Sequence, residues 1–102
     1  MLLTAATRLG ALPDVPAVSE FVPGYEFSAF FGIGASKKVP TSIVEKLNKE
    51  INAGLADPMV KQRLADLGSS AFVVSPAEFG KFIAGETEKW AKVIRAANIK
   101  PE

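Results

Sequence analysis

The sequence predicts an α/β fold in which three helices cover one face of a short sheet. Apolar side chains recur at helical spacing in much of the chain after residue 41, whereas two earlier stretches have patterns typical of strands. The predicted order is strand, short helix, strand, helix, helix, strand, helix, which suits an α/β or an α+β arrangement. Each helical stripe is too narrow to be buried on all sides, so we expect a sheet beneath the helices.

The first third of the chain predicts two strands joined through a short helix. Residues 1–7 read as a short apolar strand, and Pro16 is suited to open a short helix through "AVSEF". Pro23 and Gly24 fit the central positions of a turn, and residues 25–33 follow as an aromatic strand.

Alternation along this aromatic strand singles out two residues as a candidate binding site. It predicts one face with Tyr25, Phe27, Ala29 and Phe31, and a second face with Glu26, Ser28 and Phe30. An aromatic ring among polar neighbours is either covered by another element or available to a ligand. We therefore interpret Ser28 and Phe30 as candidate ligand-binding residues.

The second half predicts three helices and one further strand. Apolar residues at every fourth position predict a helix over 41–55, and Asp57 and Pro58 predict the N-cap and first residue of the next. Gly68 is placed to end that helix, and 70–74 reads as an edge strand. A capping box, "SPAE", begins the last helix, which is expected to reach about residue 97.

The apolar stripe of the last helix contains Trp90, which we interpret as a core residue. Glu86 interrupts the stripe. Glu86 and Glu88 lie two residues apart and face different directions, so we interpret both as solvated charges rather than as a metal site.

Composition excludes several classes of function. The 102 residues carry twelve basic and eleven acidic side chains, and this net charge of +1 provides no field to recruit nucleic acid or an anionic membrane. No His, no Cys and no carboxylate cluster is present, so the sequence predicts no enzyme, no metal site and no cofactor. No apolar run predicts membrane insertion, and the apolar start is too short for a secretory signal.

Two short features could hold an anion, although each has a simpler explanation. Lys37 and Lys38 precede a predicted helix, but paired loop lysines are usually only solvated. Gly32 and Gly34 stand between a strand and a helix, yet the Gly-Lys-Ser/Thr ending of a phosphate-binding loop is missing.

Nearly the whole chain resembles the C-terminal third of the Bug-type solute receptors that serve bacterial tripartite tricarboxylate transporters. The resemblance is carried by elements in matching order and spacing: Pro13-Asp14-Val15-Pro16, Pro23-Gly24-Tyr25-Glu26, Leu55-Ala56-Asp57-Pro58, Ser75-Pro76 with Phe79, Trp90 and Ile99-Lys100-Pro101. The family commonly has Trp where this chain has Phe30 or Phe31, and Phe lacks the indole N–H donor.

The resemblance implies a partial lobe of a two-lobed periplasmic binding protein. Such receptors hold a small carboxylate between their lobes and deliver it to membrane transporter subunits, which implies a periplasmic location. Residues 1–102 are then expected to form a single unit that is a fragment of a longer receptor. The alternative is a free-standing small α/β domain for protein–protein interaction, possible because one domain's worth of residues is present.

Overall fold

The computed structural model describes residues 1–101 and contains three α-helices. They are α1 (Thr41–Ala56), α2 (Pro58–Asp66) and α3 (Pro76–Ala96), and a short 3-10 helix, Val18–Glu20, precedes them. The three helices predicted from apolar spacing are confirmed, each with its ends within one residue of the prediction. The short helix is confirmed in a reduced form, because three of its residues are helical.

Local sequence signals determine where α2 begins and ends. The Asp57 carboxylate accepts hydrogen bonds from the backbone N–H groups of Met59 at 2.8 Å and Val60 at 3.3 Å. At the other end Gly68 adopts a φ of +71°, and Ser69 N–H donates to the Leu64 carbonyl at 2.8 Å. This is the left-handed glycine ending predicted from the sequence, in which the next turn satisfies the last free carbonyls.

Helix α3 has the predicted capping box at its start. Ser75 N–H donates to the Glu78 carboxylate at 2.8 Å, and Glu78 N–H donates to Ser75 Oγ at 3.2 Å. The hydrogen bond from Ser75 N–H lowers the pKa of Glu78. The helix ends with Asn98 at a φ of 53°, one of the few residue types that tolerate this conformation.

The predicted short sheet is not found among residues 1–101, where the one β pairing is an isolated parallel bridge between Leu3 and Ala17. Segments 25–33 and 70–74 belong to no ladder. An alternating pattern specifies an extended backbone, whereas a strand also needs a neighbouring strand to exchange hydrogen bonds with. The pattern wrongly implied that each of these segments has a partner strand within residues 1–101.

Charged and polar side chains hold the first twenty residues together. The Arg8 guanidinium makes two hydrogen bonds of 2.7 Å to the two carboxylate oxygens of Glu20, and it also donates to the Pro13 carbonyl. Glu20 additionally accepts from Ala17 N–H at 3.0 Å. The hydrogen bond from Arg8 is the main reason that the pKa of Glu20 falls to about 2.

Two asparagines attach segment 70–74 to α1. Asn48 and Asn52 stand one turn apart, and the Nδ2 group of each donates to the Val74 carbonyl at 3.0 Å. Asn52 Nδ2 also donates to Asn48 Oδ1 at 3.2 Å. The segment leading into α3 is thereby fixed against α1 at a single carbonyl.

Most apolar side chains of the chain remain accessible to solvent. Ala17, at 1% exposure, is the one buried residue among residues 1–101. The accessible surface is 8,410 Å², compared with about 5,500 Å² expected for a compact monomer of this mass. The radius of gyration is 16.5 Å, compared with about 13 Å for a compact domain of this length. The chain therefore exposes apolar side chains that packing against a further polypeptide segment would bury.

We expect Asp57→Ala to lower the free energy of unfolding by about 1 kcal/mol, because it removes the side-chain acceptor at the start of α2. Asp57→Asn is the matched control, since an amide oxygen caps almost as well. Urea denaturation followed by helical circular dichroism measures both. Equal losses in the two variants would show that the carboxylate does not act as a cap.

The Arg8–Glu20 contact predicts acid sensitivity in the first twenty residues. Glu20 has a pKa of about 2 when folded and an ordinary value of 4.5, so its stabilising contribution is complete above about pH 4.5. The contribution is lost as the pH falls from there towards 2. NMR shifts of the Ala17 amide across this range test the prediction. In Glu20→Gln this transition should disappear; its persistence would assign the titration to another group.

Candidate functional site: an open aromatic groove

An open groove of about 1,220 Å³ runs between α1, α3 and the segments 25–33 and 70–74. It exceeds the roughly 300–1,000 Å³ typical of small-molecule pockets. Helix α3 contributes Phe79, Phe82, Ile83 and Glu86 to its wall, and α1 contributes Leu47 and Ile51 among others. A space this large and open is better matched to a polypeptide segment than to a metabolite alone.

Four phenylalanines form an aromatic cluster in this groove. The Phe30 ring meets Phe82 edge to face at 4.9 Å between centroids, and Phe72 meets Phe82 at 5.1 Å. Phe79 lies 6.2 Å from both Phe30 and Phe82. Such pairs contribute about 0.5–1.5 kcal/mol each beyond the area that they bury. The cluster therefore attaches both segments, 25–33 and 70–74, to α3.

A second contact holds the start of the aromatic segment against α3. The Phe27 ring meets Trp90 edge to face at 5.3 Å. Trp90 is half-buried rather than enclosed, so its interpretation as a core residue is wrong for this chain. Its indole N–H donates to Glu86 at 3.0 Å, which fixes the orientation of the ring that Phe27 contacts.

Glu86 is a structural residue that the sequence interpretation missed. Its side chain is 15% exposed and accepts from Lys89 Nζ at 2.7 Å as well as from Trp90. The hydrogen bond from Lys89 lowers the pKa of Glu86. The interpretation of a solvated charge is wrong for Glu86 and correct for Glu88, whose side chain is 70% exposed. The signal was available, because Trp90 follows Glu86 by one helical turn.

The candidate residues Ser28 and Phe30 both line the groove. Phe30 is 42% exposed and already contacts the aromatic cluster. The predicted two-faced alternation does not hold, since Phe27 and Phe30, three residues apart, both pack on α3. Free of a ladder, the segment is not constrained to the two-residue period of a strand.

The charged residues along the groove wall are both acidic. Glu26 and Glu86 line it, and within the part of the chain that the structure describes no Lys or Arg does so. Lys37 and Lys38 lie in a turn outside the groove, so they do not line it beside Ser28 and Phe30. A carboxylate entering this groove would meet hydroxyl, amide and aromatic groups but no cationic side chain of this chain.

Gly32 is required by packing rather than by phosphate binding. A Cβ atom added at Gly32 would collide with the Phe79 ring and would lie only 2.9 Å from its Cε1 atom. Gly34 has open space at the same position. Gly32 therefore lets the backbone lie directly on an aromatic ring of α3.

Residues 1–101 contain neither a metal-binding cluster nor a membrane-spanning helix. No group of three or more acidic, Cys or His side chains lies together as a metal site would require. None of the helices there has both the length and the apolar character needed to cross a membrane.

The fold of this chain is that of part of a periplasmic binding protein. The structure of periplasmic binding protein BugD matches it with a TM-score of 0.80 at 29% identity, over 97% of this chain and 34% of BugD. The structure of R. palustris Rpa4515 with adipate matches with a TM-score of 0.81 at 33% identity, over 97% of this chain and 33% of that one.

Sequence comparison identifies the family. The sequence model described as "Tripartite tricarboxylate transporter family receptor" matches residues 1–99. A Pseudomonas sp. (strain P51) protein, "UPF0065 protein in tcbD-tcbE intergenic region", is 37% identical over 94 residues, which is 90% of this chain and 28% of that protein. The chain belongs to the tripartite tricarboxylate transporter receptor family, and the Bug-type resemblance is confirmed. It spans about a third of the length of the relatives it matches.

We expect Gly32→Ala to lower the free energy of unfolding by about 1–3 kcal/mol, because the added methyl group forces the Phe79 ring to move. Gly34→Ala is the matched control and should change stability by no more than about 0.5 kcal/mol, since nothing lies near its Cβ position. Thermal and urea denaturation measure both variants. Similar values for the two would contradict the contact between Gly32 and Phe79.

Proposed function

We propose that this chain works as part of an extracytoplasmic solute-binding receptor that delivers small carboxylates to a tripartite tricarboxylate transporter. The observation that carries the proposal is the family match over residues 1–99, together with structural likeness to periplasmic binding protein BugD and to Rpa4515 with adipate. In this function the chain catalyses nothing, its location is periplasmic, and its partners are the ligand and the membrane subunits of the transporter.

We further propose that residues 1–102 are a single unit of one lobe in a longer, two-lobed receptor. In that setting segments 25–33 and 70–74 gain neighbouring strands and become a short sheet covered by α1, α2 and α3. The proposal is supported by the strand-like sequence patterns of these segments and by the large apolar surface that the chain exposes. Burial of this surface against the rest of the lobe would supply the hydrophobic stabilisation that the chain alone lacks.

Ser28 and Phe30 are the residues we propose to face the ligand. Their position on the groove wall supports this role, with the Ser28 hydroxyl as a donor to a carboxylate and the Phe30 ring as an apolar contact. No Lys or Arg lines the groove in the part of the chain that the structure describes. We therefore propose that other parts of the receptor supply most of the groups that stabilise the negative charge of the ligand. Binding then requires closure of the site around the ligand, which excludes water and strengthens each hydrogen bond.

The chain alone should not bind small carboxylates tightly. We expect a dissociation constant for adipate no better than about 1 mM, equivalent to roughly −4 kcal/mol, because an open groove leaves the carboxylates hydrated. Calorimetry and NMR titration with adipate measure the affinity. Saturable micromolar binding would contradict the proposal that a second part of the receptor completes the site.

A chimeric receptor tests the proposed function directly. The segment of Rpa4515 that matches this chain is replaced by this chain, and adipate binding is measured. We expect binding to be retained and Ser28→Ala to weaken it by about tenfold or more, as expected for loss of a hydrogen bond to a charged group. Ser42→Ala, on α1 and outside the groove wall, is the control and should leave binding unchanged.

The two possible failures of this test have different meanings. A folded chimera that binds no adipate would overturn the proposed receptor function for this segment. A chimera that binds adipate equally well with and without the Ser28 hydroxyl would retain the function and remove Ser28 from the site.

A further inference from the structure

We propose that Glu86 is a positioning residue for the ligand site, because its carboxylate orients the Trp90 indole, which holds Phe27 and so places the neighbouring Ser28 hydroxyl. The inference rests on the proposed receptor function, in which Ser28 donates to a carboxylate of the ligand. Glu86 acts through its neighbours and not by contact with the ligand.

Both oxygens of the Glu86 carboxylate are engaged by side chains of the same helix. Oε1 accepts a hydrogen bond from Lys89 Nζ at 2.7 Å, and Oε2 accepts from the Trp90 indole N–H at 3.0 Å. The Lys89 ammonium also lies 5.6 Å from the centroid of the Trp90 ring. Because the Glu86 side chain is only 15% exposed, water competes little for these hydrogen bonds. The carboxylate is therefore held in one orientation, and it holds the indole in turn.

The orientation of the indole determines its contact with Phe27. The two rings meet edge to face, with an angle of 89° between their planes and 5.3 Å between their centroids. This geometry is favourable because the positive edge of one ring points at the negative face of the other, so a rotated indole would lose it. Loss of the Glu86 acceptor would also leave the N–H of a half-buried indole unpaired.

The anchored Phe27 is the nearest constraint on Ser28 within residues 1–101. Ser28 itself makes no backbone hydrogen bond there. Phe27 is held twice, by its ring against Trp90 and by its N–H group, which donates to the Thr4 carbonyl at 2.8 Å. Phe30 is held separately, by its own ring contact with α3. Displacement of Phe27 should therefore move the Ser28 hydroxyl and leave Phe30 in place.

The test measures adipate binding by the chimeric receptor. Glu86→Ala should weaken binding by about three- to tenfold, which is less than the effect of Ser28→Ala, because the hydroxyl is displaced and not removed. Glu86→Gln should restore the affinity to within about twofold, since an amide oxygen still accepts from the indole N–H. Glu88→Ala is the matched control: Glu88 pairs with Lys92 at 3.1 Å on the same helix, but its side chain is 70% exposed. It should leave the affinity unchanged.

A double-mutant cycle separates positioning from a general loss of structure. In a Ser28→Ala background, Glu86→Ala should not weaken adipate binding further, because no hydroxyl is left to position. Trp90→Phe keeps a ring and removes the N–H donor, so it should weaken binding by a factor similar to that of Glu86→Ala. If Glu86→Ala does not fold, the same cycle with Trp90→Phe decides. In the chain without ligand, NMR should show larger shift changes at the Phe27 and Ser28 amides than at the Phe30 amide.

Three results would overturn this inference and leave the receptor function standing. They are equal adipate affinities for Glu86→Ala and Glu88→Ala, additive losses from Glu86→Ala and Ser28→Ala, and a Glu86→Gln variant that binds no better than Glu86→Ala. A chimera whose binding does not depend on the Ser28 hydroxyl would have the same meaning. A folded chimera that binds no adipate would overturn both the receptor function and the positioning role.

Discussion

The packing of aromatic rings between segment 25–33 and α3 is the interaction on which the arrangement of this chain depends. Phe27 against Trp90 and Phe30 against Phe82 join parts of the sequence that are some fifty or sixty residues apart. No ladder holds the segment within residues 1–101, so it is held by these ring contacts together with the hydrogen bond that Phe27 N–H donates to the Thr4 carbonyl at 2.8 Å. The Glu86 carboxylate supports them by fixing the indole, and Gly32 supports them by leaving space for Phe79.

Local signals account for most of what the sequence could predict. The caps at Asp57 and Ser75 and the left-handed Gly68 act within a few residues of one another, so reading them requires no knowledge of the rest of the fold. The turn with Gly24 at a φ of 82° belongs to the same class of signal. These features placed the helices correctly, since a helix satisfies its own backbone hydrogen bonds.

Features that depend on a distant partner were harder to predict. A strand is defined by its neighbour, and the alternation in residues 25–33 said nothing about whether a neighbour is present. The two asparagines on α1 gave no sign of their shared acceptor, because Val74 lies more than twenty residues away. The family resemblance filled part of this gap: it indicated a larger protein, and the exposed aromatic groove is what a part of such a protein would present.

The shared acceptor of Asn48 and Asn52 has a mechanical consequence. Two donors converge on one carbonyl, so segment 70–74 is attached to α1 at a point and not along a line. A point attachment resists separation while permitting rotation. Here rotation is limited by the Phe72 ring, which packs against Phe79 and Phe82 of α3. The segment is therefore anchored to α1 through one carbonyl oxygen and to α3 through one aromatic side chain, so that five residues act as a brace between two helices.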